Sequence, residues 1–342
     1  MNYRIVLIAI FFNCALASAQ NVTNVEGSKY IFKEVIRHDD SPVESQGRTG
    51  TCWSFSALSF LESEIMRVNK TDKPVVLSEM FIVRKAYEAK AKKFILMDGR
   101  TNFGEGGAFH DIPYVIKNFG IVPQDVYTGL EKKSDSYNHG DMFKDLNRIV
   151  GDARSQGNGI QQSWVDEYNA TLDENIGELP ETFKYKGEKY TAITFYNSLG
   201  IDMNDYVSIT SFTNHPMYKT CMLQIPDNWL WEESYNVSID EMYAATLNAL
   251  KSGYTVAWGA DVSEEGFSFR NGLAVVPLDK DKVIVEGEDN SNFSDAGADK
   301  KSTIFTRPDS EVIVTQEMRQ KGYDEKETTD DHGMHIVGLY KD

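Results

Sequence analysis

The sequence predicts an α+β fold, with helices gathered in its first part and strands in its last. Three observations carry that prediction. Apolar residues recur at spacings of three and four over 53–68, with further helical stretches at 77–93 and 108–119. A helix over 239–251 is followed by a strand over 254–258 and further strand candidates at 273–277, 283–286, 303–306 and 335–340. Helices and strands nowhere alternate in the manner of a parallel sheet with crossover helices. The 342 residues are 41% hydrophobic and 25% charged, an ordinary balance that supports a sizeable core in one large domain or two lobes.

The first 19 residues read as a secretory signal. Arg4 supplies a positive start, Ile5 to Phe12 form an unbroken apolar run, and Ala17-Ser18-Ala19 makes a small-residue cleavage site, so the mature chain is expected to begin at Gln20. A lipoprotein reading would use Cys14, but Phe12 and Asn13 are bulky and polar where small residues are wanted. No other segment approaches the length of a membrane span, so an exported, soluble protein is expected. Residues 20–50 look irregular, with turn signals at Asp39-Asp40-Ser41-Pro42 and Gln46-Gly47. In the 53–68 helix Phe55, Leu58, Leu61 and Ile65 share one face, while Glu62, Glu64 and Arg67 supply polar positions elsewhere. Gly120 ends the third helix ahead of Ile121-Val122-Pro123. Residues 128–235 are polar and uneven and read as an insertion with some helix in it. The 239–251 helix carries a capping-box pattern at Ser238 and Glu241 and an apolar face of Ile239, Met242, Leu247 and Leu250.

The net charge of −17 and the lack of a basic stripe argue against nucleic acid and anionic membranes as partners. The acidic 279–300 stretch lacks the spacing of a calcium loop and reads as a solvated loop; with no zinc or phosphate-binding pattern, no metal or cofactor is expected. Removing the signal leaves two cysteines, Cys52 and Cys221, which an exported chain could pair or keep free. Cys52 falls at the start of the 53–68 helix, where unpaired N–H groups and the helix dipole favour thiolate by roughly 0.3–1 kcal/mol. Real activation needs an imidazole as well. A packed, inert cysteine is the bland alternative.

Gln46, six residues earlier in a loop loosened by Gly47 and Gly50, can bring a side-chain amide beside the sulfur to stabilise an oxyanion. Gly50-Thr51-Cys52-Trp53-Ser54-Phe55-Ser56 resembles the nucleophile segment of papain-like cysteine peptidases, with Thr49 where that signature has its first cysteine. Asp331-His332-Gly333-Met334 resembles the family's D-H-A-[VM] strand. The resemblance implies that Cys52 is the nucleophile, Gln46 part of the oxyanion hole, and His332 the base that forms an ion pair with the thiol. His335, on the opposite face of that strand, reads as structural or surface. The glycine pair Gly106-Gly107 is a flexible loop on its own account, and by the resemblance the place where substrate backbone pairs as an extra strand.

Cys52 and His332 lie 280 positions apart, against roughly 130–150 in papain-type enzymes. Only residues 20–45 separate the cleavage point from Gln46, too few for an inhibitory propeptide. GGAFHDIPYVIKNFGIVPQDVY, YVSITSFTNHPMYKTCMLQIPDNW and ALKSGYTVAWGADVSEEGF are similar to blocks of the bleomycin hydrolase and aminopeptidase C branch. The resemblance implies a two-lobe fold over 20–342: a helical lobe with the cysteine helix, an insertion at about 128–235, and an antiparallel β lobe with the histidine at about 254–342. It also implies thiol-dependent removal of N-terminal residues from peptides, a hexameric ring, and Cys221 as a packed free thiol. An orienting asparagine in an N-S-W-G segment is expected beyond Asp342, so the sequence reads as a C-terminally truncated copy. Endopeptidase action in an unblocked cleft, and a non-catalytic binding protein on the same scaffold, are the alternatives.

Overall fold

The computed structural model of the protein describes residues 21–130, 136–279, 283–286 and 299–341. The expected signal segment with Cys14, and most of the acidic 279–300 stretch, lie outside the described residues. The chain opens with strands β1 (Asn21–Val22) and β2 (Phe32–Arg37). Helices α1 (Cys52–Asn69), α2 (Glu79–Leu96), α3 (Asp111–Phe119), α4 (Gly140–Gln156) and α5 (Gln162–Ile176) follow. A short hairpin, β3 (Phe183–Tyr185) and β4 (Glu188–Tyr190), leads to α6 (Ala192–Ser198). Next come β5 (Ile209–Thr210), β6 (Thr220–Met222), β7 (Glu233–Asn236), α7 (Ile239–Lys251) and β8 (Val256–Ala260). The last stretch holds β9 (Phe267–Ser268), β10 (Leu273–Ala274), β11 (Ile284–Glu286), β12 (Asp299–Lys301), α8 (Gln316–Asp324), β13 (His332–Ile336) and β14 (Gly338–Lys341).

The hydrophobic core belongs to the helices. Phe55, Leu58, Leu61 and Ile65 of α1 pack with Phe81, Ile82, Ala86 and Tyr87 of α2, all buried. The polar 128–235 stretch joins this core rather than hanging from it. Met142, Phe143, Leu146 and Val150 of α4 and Trp164, Tyr168 and Leu172 of α5 are buried in the same cluster. The charges that make α4 look loop-like, among them Asp141, Lys144 and Arg148, lie on its solvent face. Helix α1 is buried on more than one face, so Glu62 and Glu64 are not at the surface as their charge suggests. Each has a partner: Glu62 Oε1 accepts from Leu77 N at 2.7 Å, and Glu64 pairs with Arg67 at 2.8 Å.

The strands form several small sheets, and most pairings are antiparallel. β13 pairs with β8, and β14 pairs with β2, which joins the two ends of the chain. Among the described strand pairs, β5–β7 is the parallel exception. The 303–306 stretch, expected as a strand, is a 3-10 turn at Thr303–Phe305, with Ser302 Oγ bonded to Ile304 N and Ile304 and Phe305 buried. The capping box at Ser238 and Glu241 is present, and of the expected α7 face only Leu250 is fully buried. Cys52 and Cys221 are both free thiols, and Cys221 is buried. No described helix is long and apolar enough to cross a membrane. The architecture is α+β, with α1 running between the helical core and the β8–β13 pair.

Candidate active site

Helix α1 begins at Cys52, which puts the thiol where backbone N–H groups have no partner within the helix. The loop before it closes on itself. Gln46 Nε2 donates to Thr49 O at 2.5 Å, Thr49 Oγ1 donates to Gln46 O at 2.9 Å, and Thr49 and Thr51 hydroxyls lie 2.5 Å apart. Gly47 adopts φ +59°, and a Cβ there would meet Tyr137 O at 2.5 Å, so glycine alone lets the loop lie against that backbone. Ser54 Oγ then donates to Glu79 O at 3.0 Å and fixes the first turn of α1 to the start of α2. Gln46, Thr49, Thr51, Trp53 and Ser54 are buried, and Cys52 is half-buried.

The second wall comes from β13. Gly333 N donates to Cys52 Sγ at 3.4 Å, which brings the strand opened by His332 onto the thiol. A Cβ at position 333 would lie 2.6 Å from Ser56 Oγ, so glycine, in place of the alanine in the D-H-A pattern, permits this approach. His332 Nδ1 is buried with no hydrogen-bond partner among the described residues. His335 turns onto α1: its Nδ1 lies 3.0 Å from Ser59 Oγ, and its ring meets Phe60 edge-on at 6.0 Å. It is a packing contact. His110 precedes α3, with Nε2 3.5 Å from Ser234 Oγ.

The glycine pair forms the third side. Trp53 Nε1 donates to Glu105 O at 3.2 Å and Gly50 N to Glu105 Oε2 at 2.9 Å, which ties the pair to the cysteine loop. Packing within the protein gives a reason of its own for glycine at both positions. A Cβ at Gly107 would lie 2.5 Å from Asp111 Oδ2 and 2.8 Å from the Trp53 ring, and one at Gly106 would lie 2.0 Å from Asp227 Oδ2. Packing against Asp111, Trp53 and Asp227 therefore excludes side chains. Beneath the pair, the buried Lys90 donates to the carbonyls of Gly104 (3.1 Å) and Gly106. Lys90, Asp111 and Asp227 escape sequence reasoning, because a charged residue in a helix or turn defaults to a solvated one. Asp227 does lie in the IPDNW stretch that carried part of the resemblance.

Burial works against the expected thiolate paired with an imidazolium. Burial pushes the Cys52 thiol up to about 11; N–H groups of Gly333 and Trp53 pull it down, while Asp330 and Asp227 push it up further. Burial also lowers His332 from the usual histidine value. For both groups desolvation is the largest influence and favours the neutral form, against what the helix end supplies. Burial raises Asp111 to about 7, and Trp229 Nε1 donates to its Oδ2 at 2.7 Å while Oδ1 has no partner among the described residues. No group of three or more histidine, cysteine or acidic side chains among the described residues could hold a metal ion.

This arrangement has relatives. The sequence profile of the Peptidase C1-like family matches residues 81–285, more than half of the chain, a span that includes Gly106 and Gly107 but neither Cys52 nor His332. Aminopeptidase C of Lactococcus lactis subsp. cremoris is 25% identical over 269 residues, covering 66% of this chain and 59% of that protein. Bleomycin hydrolase of Mus musculus is 23% identical over 319 residues, covering 80% of this chain and 69% of its own length. PepW from Lactobacillus rhamnosis HN001 superposes with a TM-score of 0.63 at 19% identity, over 90% of this chain and 72% of that one, so the two share a fold. The chain spans 59% of the length of the first curated relatives it matches. With a profile match over most of its helical part and a shared papain-like architecture, the chain belongs to the Peptidase C1-like family.

Proposed function

We propose that the chain is an exported cysteine peptidase that removes residues from the N-termini of peptides through an acyl-enzyme on Cys52. The observation that carries this reading is the meeting of Cys52 with the strand that His332 opens, joined by the Gly333 N–H at 3.4 Å from the sulfur. From a resting pair of neutral groups, His332 takes the thiol proton as sulfur bonds to the substrate carbonyl carbon. The oxyanion that forms lies toward the start of α1, where backbone N–H groups and the second N–H of the Gln46 amide serve as donors. His332 then protonates the leaving amine as the C–N bond breaks. Water attacks the thioester, gives its proton to His332, and the thiol is restored.

The aminopeptidase choice is supported by the likeness to aminopeptidase C. Its test uses fluorogenic aminoacyl amides and a thiol alkylator. Cys52→Ala is expected to abolish turnover and the labelling of that site while leaving Cys221 in place. Labelling confined to Cys221, or cleavage that survives the substitution, would sink the assignment. Products from N-terminally blocked peptides would favour endopeptidase action instead. Export is supported by the charged, apolar and small-residue pattern of 1–19. N-terminal sequencing of the exported protein is expected to start at Gln20, and a start at Met1 would count against it.

A further inference from the structure

The peptidase reading leaves one charged group of the cleft without a task. Asp227 lies in the turn between β6 and β7, half-buried. Its Oδ1 accepts a hydrogen bond from Asn102 Nδ2 at 2.9 Å. Its Oδ2 lies 2.0 Å from where a Gly106 Cβ would be and accepts no hydrogen bond from the described residues. This carboxylate is therefore set against the bare backbone of the glycine pair. Its charge reaches both walls of the site: it acts on the Cys52 thiol and on Asp330, two residues before His332.

The local charge is unbalanced. Lys90 is the cation that acts on Asp227, but its ammonium already donates to two carbonyls and faces Glu105 and Asp111 as well. Three carboxylates thus share one ammonium, and Asp111, fully buried beside Gly107, keeps Oδ1 without a partner. Burial raises Asp227 above the usual carboxylate range, and Asp330 is raised to about 7 by its surroundings and then by Asp227, although it reaches solvent. A cation placed between the glycine pair and the His332 strand relieves this repulsion. If the acyl carbon of the terminal residue is at Cys52 and that residue lies along Gly106-Gly107, its α-nitrogen is two bonds back from the acyl carbon.

We infer that Asp227 receives the free α-ammonium of the peptide N-terminus and so selects the terminal residue for removal. The inference rests on the peptidase reading, and the ammonium could come instead from a lysine side chain. Three p-nitrophenyl esters separate these cases: alanyl, propionyl (which lacks only the amine) and Nα-acetyl-lysyl. The wild-type preference for alanyl over propionyl is expected to fall by about tenfold or more in Asp227→Asn. Asn102→Ala, an exposed change that frees Oδ1, is expected to lower the same ratio less, and it carries the test if Asp227→Asn does not fold. An unchanged ratio in the folded variants overturns the proposal. So does a loss confined to the lysyl ester, which would assign Asp227 to a side-chain cation. If wild type turns over no ester and Cys52 resists alkylation, the peptidase reading fails instead.

Discussion

The two walls of the site are built by different means. The Cys52 wall is the end of a helix whose residues Leu58, Leu61, Ile65 and Met66 are buried and whose first turn is bonded to α2. The His332 wall is a strand with every residue half-buried, paired among the described strands with β8 alone. A two-stranded ribbon is marginal by itself, so β13 depends on α1, which it meets through Gly333 against Ser56 and His335 against Ser59. The Cys52 side is held by packing density, the His332 side by a few close approaches. Geometry on the first side resists local change; on the second it turns on single atoms.

That contrast can be broken by substitutions on each side. Leu58 is fully buried, so Leu58→Ala should cost about 2–5 kcal/mol of stability, with the folded fraction keeping its activity per molecule. Gly333→Ala should act in the reverse sense. Its Cβ would meet Ser56 Oγ at 2.6 Å and lever β13 away from Cys52. Displacement of about 1 Å at a catalytic pair costs on the order of 10²-fold in rate, so kcat/KM should fall by that order with a smaller change in melting temperature. Ser56→Ala removes the opposing hydroxyl and should restore much of the activity of Gly333→Ala. If the double variant is as poor as the single one, the close approach does not set the geometry.

The same contrast explains what the sequence showed. The helices of the core were legible because α1, α2 and α3 carry apolar residues at helical spacing and end at clear stops such as Gly120. Strand β2 was invisible: Phe32–Arg37 has mostly exposed side chains, and its pairing with β14 arises from opposite ends of the chain. Helices α4 and α5 were blurred by charge on their outer faces. In the site, the segments around Cys52 and His332 carried a recognisable pattern. Their protonation did not, because desolvation depends on which groups close over the thiol, and Asp227 and Asp330 come from distant parts of the chain. Buried Glu62 and Glu64 were misplaced for a related reason: their partners, a backbone N–H at Leu77 and the Arg67 guanidinium, make burial tolerable only once folded.

The smallest expected effects set the two regions apart by the sign of their pH dependence. Burial raises Glu79, at the start of α2, to about 8, so the folded state holds a proton that the unfolded state has lost above about 4.5. Its contribution to stability therefore falls as pH rises from about 4.5 to about 8. Burial, followed by the charge of Arg37, lowers His335 to about 4 from 6.5. There the unfolded state binds the extra proton, and stability is lost as pH falls from 6.5 through about 4. Thermal melts of Glu79→Gln should show a gain of a few degrees at pH 8.5 and little at pH 4. Those of His335→Gln should show a shallower loss between pH 6.5 and 4 than wild type, with little change in slope above pH 7. If both variants shift the curve in the same pH range, the two walls do not titrate independently, and the division between a packed Cys52 side and a lightly held His332 side would have to give way to one cooperative unit.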